Sequence, residues 1–239
     1  MTHVQVNNNV TIGILALQGA FAEHQTALQK LSCQKKISVV LVRTAEDLSV
    51  CDALIIPGGE STTIAFLAKL SGLLEPLRTF LQKKPVWGTC AGAILLAQAV
   101  ENTKKGGQEL LGGISVTIAR NGWGSQVESF EAPLSIDGLL DPSTPFMGVF
   151  IRAPVVLALH PSTENPPIEV IARLPINLVP KSQKLTLHDQ GDSSSPHDLQ
   201  SIVALRQGRH MLTTFHPELT KDSRFHEYFV RTCVVPTLL

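Results

Sequence analysis

At 239 residues the chain is long enough for one or two domains of roughly 150 residues each. Its 44% apolar and 17% charged content supports a sizeable core and excludes a largely disordered chain. Lys plus Arg and Asp plus Glu number 20 each, so no net charge draws the chain toward nucleic acid or an anionic membrane.

The start, Met1 to Asn9, lacks the basic stretch and apolar core of a secretory signal, and no apolar run approaches the roughly 20 residues of a membrane helix. Cys33, Cys51, Cys90 and Cys233 show neither CxxC pairing nor zinc-ligand spacing. A reduced, cytoplasmic protein without a metal site is the expectation.

The first two-thirds alternates strand and helix signals. Val10 to Leu17 is an apolar run suited to a strand buried on both faces, and Phe21 to Leu31 has near-helical apolar spacing. Strands are predicted at Ile37 to Val42 and Ala53 to Ile56, the latter stopped by Pro57-Gly58-Gly59. Helices follow over Thr62 to Leu70 and Leu73 to Leu81, then a short strand at Pro85 to Gly88 and a small-residue helix at Ala91 to Val100. Such alternation predicts an α/β fold with a mostly parallel sheet covered by helices on both faces.

The remainder is richer in strand signals: Ser115 to Ala119, Val127 to Phe130, Phe146 to Ile151, Ile168 to Leu174, Ser201 to Leu205 and Met211 to Phe215. Lys181 to Asp198 is polar, with three consecutive serines and Pro196, and implies a mobile surface insertion. Strand-like sequence resumes after it and no internal repeat is found, so residues 1–239 are expected to form a single domain.

The strongest chemical signal is Gly88-Thr89-Cys90-Ala91-Gly92, between a strand and a helix. This is the spacing of the nucleophile elbow, with Cys in place of Ser. The turn exposes the sulfur above the sheet at a helix start, where thiolate is favoured. The alternative is a buried structural cysteine in a Gly-rich turn.

A nucleophilic Cys needs a base, and the base an orienting group. His216 closes the apolar stretch ending at Phe215, and Pro217 pushes it toward extended backbone. In an extended segment Glu218, two residues on, points the same way and can hold the ring. His3, His188 and His197 lie in polar or terminal stretches, while His24 and His226 are expected on helix surfaces. Pro57 to Thr62 forms a second loop at a strand end, where Gly59 can offer an N–H to pair with that of Ala91 as an oxyanion hole. The same Gly-Gly-Glu-Ser-Thr run is also a plain turn and helix cap, and it lacks the Lys of a phosphate loop.

Together with LALQGAFAEH (15–24), IIPGGESTT (55–63), PVWGTCAG (85–92), GGISVTIARN (112–121), FIRAP (150–154) and FHPELT (215–220), these residues resemble the class I glutamine amidotransferases. Within that class they are most similar to the glutaminase subunits of pyridoxal 5'-phosphate synthase, over about residue 10 to Phe229. The resemblance implies a three-layer, flavodoxin-like fold and hydrolysis of L-glutamine to glutamate and ammonia. It implies Cys90 as nucleophile, His216 as proton carrier, Glu218 as orienting carboxylate, and Gly59 and Ala91 as oxyanion donors. Glutamine would be held by Gly59-Glu60-Ser61, Arg120 and Ile151-Arg152, with the arginines suited to its carboxylate and Glu60 to its ammonium group.

The ammonia would pass to a synthase subunit that builds pyridoxal phosphate, the product of the complex and not a cofactor of this chain. Gln18-Gly19 and Ala20 to His24 would lie near that interface. The common bacterial x-Phe-Gly-Arg-Gln is here Gly122-Trp123-Gly124-Ser125-Gln126, without the arginine. A stand-alone cysteine hydrolase and a non-catalytic interaction subunit are the competing readings.

Overall fold

The computed structural model describes residues 9–32, 35–103, 107–122, 129–179 and 196–238. A seven-stranded sheet forms its centre, built from β1 (Asn9–Leu15), β2 (Lys36–Val42), β3 (Ala53–Ile56), β4 (Val86–Thr89), β10 (Ile168–Arg173), β11 (Ile202–Gln207) and β12 (His210–Thr213). Their spatial order is β10-β11-β12-β4-β3-β1-β2. The five strands from β12 to β2 run parallel, and β11 and β10 add antiparallel to one side.

β3 shows why these segments are strands. All four of its residues are fully buried, with Ala53 and Ile55 in one core and Leu54 and Ile56 in the other. The two-residue period of a strand divides one apolar run between two hydrophobic layers. On one face lie α1 (Phe21–Gln29) and α7 (Arg224–Phe229), with Trp87, Phe215, Phe225 and Phe229 in mutual ring contact or one ring removed. On the other face lie α3 (Ser61–Leu70), α4 (Leu74–Leu81) and α5 (Ala91–Leu96). The result is the expected three-layer, flavodoxin-like arrangement.

Short elements complete the fold. α2 (Ala45–Ser49) is held by a capping box in which Thr44 Oγ1 accepts from Asp47 N while Asp47 accepts from Thr44 N. A three-stranded sheet joins β5 (Ala97–Glu101), β6 (Ile114–Ala119) and β9 (Val155–Leu159), and β7 (Ser129–Leu134) pairs with β8 (Phe146–Ile151) as a hairpin. α6 (Pro196–Gln200) precedes β11.

Two expectations need correction here. The helix after Cys90 ends at Leu96, not Val100, because the chain turns extended at Ala97 (ψ 152°) and pairs with β6. Small apolar residues serve either state, and the available strand partner decides. His24 and His226 are not on helix surfaces: both side chains are fully buried. Of the expected insertion, residues 181–195 lie outside the described residues, and 196–198 begin α6. Among the described residues no helix is long and apolar enough to cross a membrane.

The sheet order reverses between β1, which pairs with β2 on one side, and β3 on its other side. Loops leaving the C-terminal ends of β1, β3, β4 and β12 therefore converge along one sheet edge, where open α/β sheets bind ligands.

Candidate active site

The elbow has the strain its sequence predicts. Cys90 sits at φ 48°, ψ −100°, in the left-handed region that L-residues adopt only when their surroundings impose it. Its N–H donates to Thr213 O of the neighbouring strand at 2.8 Å, pinning the turn to β12. A Cβ on Gly92 would stand 2.0 Å from Ile56 O, and one on Gly88 would stand 2.5 Å from Gly92 C. Both flanking glycines are thus required by backbone packing, which lets α5 leave the sheet immediately after Cys90. The Cys90 Sγ lies 3.9 Å from Ile151 O at the end of β8.

His216 follows β12 and is tied to β8 by its N–H to Val149 O, 2.8 Å. Its backbone is extended (φ −107°, ψ 85°), as Pro217 dictates, but Glu218 lies in a 3-10 turn over Pro217–Leu219. The extended segment expected for the pair therefore covers only His216. The turn still delivers the carboxylate: His216 Nδ1 is 2.7 Å from Glu218 Oε1, with both side chains nearly buried. With Nδ1 committed to Glu218, Nε2 is the ring nitrogen left to serve Cys90. Burial opposes charge on this imidazole, yet hydrogen bonds and negative charge from Cys90 and Glu218 prevail and raise its pKa to about 10. Gly58 makes room for the pair, since a Cβ there would lie 2.8 Å from His216 Nδ1 and 3.4 Å from Cys90 Cβ.

The β3 loop is braced by the loop after β1. Ala20 N–H donates to Gly58 O at 3.0 Å, and Glu60 N–H donates to Gln18 Oε1 at 2.9 Å. A Cβ at Gly59 would lie 2.5 Å from that same Gln18 oxygen. Glu60, not a Ser or Thr, caps α3: its Oε2 accepts from Thr63 N and Thr63 Oγ1, each at 2.7 Å, and from Thr62 Oγ1. Partial burial resists ionisation, but these bonds from Thr62 and Thr63 hold the Glu60 pKa down to about 2. Its other oxygen pairs with Arg120 Nη2 at 2.7 Å, while Arg120 Nη1 is buried without a hydrogen-bond partner among the described residues. Ser61 Oγ donates to Gln108 Oε1 at 3.1 Å.

The structure thus brings Cys90, His216 and Glu218 together, with Glu218 hydrogen-bonded to His216, and joins Glu60 to Arg120. Ala91 opens α5 beside Cys90, and Ile151 reaches the sulfur through its carbonyl. Arg152 follows, exposed, at φ 44°. Residues 123–128, including Ser125, lie outside the described residues. Sequence reasoning missed Thr89, His24 and His226, which pack behind Glu218. The available signal was spacing: His24 stands four residues before Leu28 on the buried stripe of α1, and His226 three before Phe229 on that of α7.

A cysteine elbow and a histidine-carboxylate pair thus meet on the C-terminal edge of a doubly wound α/β sheet. Comparison with known proteins gives the family. Residues 14–235 match the model of the SNO glutamine amidotransferase family, and the chain belongs to that family. It is 46% identical to the "Probable pyridoxal 5'-phosphate synthase subunit PDX2" of Arabidopsis thaliana, covering 93% of this chain and 85% of that one. It is 42% identical to pyridoxal 5'-phosphate synthase subunit PdxT of Chloroflexus aggregans, covering 92% and 99%. A crystal structure of a glutamine amidotransferase superposes with TM-score 0.70 at 40% identity, covering 92% of this chain and 97% of that one. PurLQS from Thermotoga maritima, at 10% identity and TM-score 0.54 over 93% and 97%, shares the fold.

Proposed function

We propose that this chain, acting as a single domain in the cytoplasm, hydrolyses L-glutamine to L-glutamate and ammonia, and passes the ammonia to a pyridoxal 5'-phosphate synthase subunit. The grouping of Cys90, His216 and Glu218 carries the reading, with Glu218 hydrogen-bonded to His216 and Cys90 beside the same histidine. The named relatives support the partner.

The proton shared by Cys90 and His216 rests on His216 Nε2, so Cys90 Sγ attacks the γ-amide carbon of glutamine as thiolate. Oxyanion charge then meets the N–H groups of Gly59 and Ala91. The intermediate collapses as His216 returns the proton to the departing nitrogen, which leaves as ammonia and a γ-glutamyl thioester on Cys90. Water attacks the thioester, giving a proton to His216, and glutamate departs as Cys90 leaves as thiolate, which restores its pairing with the imidazolium. Glu218 keeps the Nδ1 proton of His216 in place and offsets the imidazolium charge in both halves.

For substrate recognition, Arg120 Nη1 offers a donor without a partner among the described residues, suited with Arg152 to the α-carboxylate of glutamine. Glu60, held ionised by Thr62 and Thr63, suits the α-ammonium group. The family resemblance adds Gly59, Ser61 and Ile151 to the residues that would hold glutamine. The test is glutamate release from glutamine with and without the synthase subunit. Release stimulated by that subunit and lost in Cys90→Ala supports the reading. Equal release in both tubes favours the stand-alone hydrolase instead, and release retained by Cys90→Ala contradicts the catalytic assignment.

A further inference from the structure

Glu218 uses only one carboxylate oxygen on His216. Its Oε2 is buried and has no regular hydrogen bond among the described residues; the polar group facing it is His24 Nε2, at 3.5 Å. His24 is itself fully buried, between Thr89 Oγ1 at 3.2 Å from Nε2 and His226 Nε2 at 2.9 Å from Nδ1. Trp87 closes the edges of both rings, with centroids 5.7 Å from His24 and 5.1 Å from His226. Two fully buried histidines behind a carboxylate are costly unless they do something there.

Their protons can be assigned from the bonding. Burial, then the neighbouring His226 and His216, keeps His24 well below its ordinary pKa, and burial takes His226 down to about 3. Both rings are therefore neutral, with one proton each. Were the shared proton on His24 Nδ1, a bare Nε2 lone pair would face the Glu218 carboxylate and the buried Nδ1 of His226 would carry an orphaned N–H. With the shared proton on His226 Nε2, only a bare acceptor is orphaned at His226 Nδ1, and His24 Nε2–H points at Glu218 and Thr89.

Building on the function proposed above, we infer that His24 is a positioning residue for the triad: its Nε2–H steadies the free oxygen of Glu218, and His226 locks the tautomer that places this proton there. The consequence follows from Glu218. Without the donor, a buried carboxylate oxygen that has no regular hydrogen bond among the described residues also loses the facing His24 N–H, so the carboxylate turns or takes up a proton more readily. Either change weakens its hold on His216 as imidazolium. The ionisable groups bearing on His216 are Cys90 from the elbow, Glu218 from its own turn and His24 from α1, with His226 from α7 behind them.

The experiment compares His24→Leu, which removes the donor, with His24→Gln, whose amide N–H reaches the place of Nε2. Steady-state glutaminase activity is measured on the full chain with its synthase subunit, and the pH profile of Cys90 alkylation by iodoacetamide on the same variants. His24→Leu is expected to lose about tenfold or more in kcat with KM unchanged, since His24 does not reach solvent. The alkaline limb of its alkylation profile moves to lower pH, and His24→Gln restores most of both. If His24→Leu does not fold, His226→Leu carries the comparison, because it frees the tautomer of His24 and predicts a smaller loss in the same direction. Equal losses in Leu and Gln with an unmoved pH profile, or an unimpaired Leu variant, would overturn the inference. Cys90→Ala run alongside separates the claims: if it still releases glutamate, the underlying reading fails, and if it is inactive, only the role of His24 is in question.

Discussion

Gly92→Ala tests the elbow through geometry alone. The added methyl would stand 2.0 Å from Ile56 O, 2.8 Å from Ile56 C and 3.1 Å from Ile56 Cβ. Ordinary contact begins near 3.4 Å, so α5 and β3 must part by about 1.4 Å at that point. Both sides of the clash bear on the site: Cys90 precedes α5 by one residue, and Ile56 leads directly into Pro57-Gly58-Gly59. Overpacking of this kind costs about 1–3 kcal/mol of stability. Displacing a reacting group by about 1 Å costs about a hundredfold in rate, so kcat falls much further than stability alone requires. Urea unfolding and steady-state glutamate release on one preparation give both numbers. Gly72→Ala is the control, because its φ of +71° strains the backbone by about 1–2 kcal/mol but no atom meets the new methyl. A Gly92→Ala protein with unimpaired kcat and stability would refute the packing argument.

Further predictions follow from the same row of residues. Glu218→Gln keeps the shape of the pair but not its charge, and kcat is expected to fall about a thousandfold or more with KM little changed, as steady-state kinetics will report. Stability will depend on pH through His216: its folded value of about 10 exceeds the unfolded value near 6.5, so the contribution is present in full below about pH 6.5 and is lost as pH rises through about 10. Urea titrations across that window should show the decline, and Glu218→Gln should flatten it. Burial pushes the Cys51 thiol up to about 12 and raises that of Cys233, so peptide mapping after brief iodoacetamide treatment near pH 8 should find Cys90 modified well before either.

The parts of this molecule legible in the sequence are those decided locally. β3 is bounded as expected because four apolar residues end at Pro57, and β8 because its apolar run ends at Ile151-Arg152. The elbow was legible because Gly88 and Gly92 record the packing limits of a single turn. Legibility failed where a distant partner decides. Ala97 to Glu101 is strand because β6 lies beside it, and the small apolar residues there carry no preference strong enough to say so. α2 was missed because its capping box closes with Asp47 in place of the usual Glu or Gln. His24 and His226 looked like surface residues because 202 positions separate the two rings that bury each other. Glu60 and Arg120 were legible singly, but their 2.7 Å pairing across 60 positions was not.

The most direct test of covalent catalysis at Cys90 is acid quenching of the chain during turnover of glutamine with the synthase subunit, followed by mass analysis of its peptides. A γ-glutamyl adduct on the peptide carrying Cys90, absent without glutamine and absent in Cys90→Ala, is the expected result. Sustained glutamate release by Cys90→Ala, or an adduct on a different cysteine, would contradict the account.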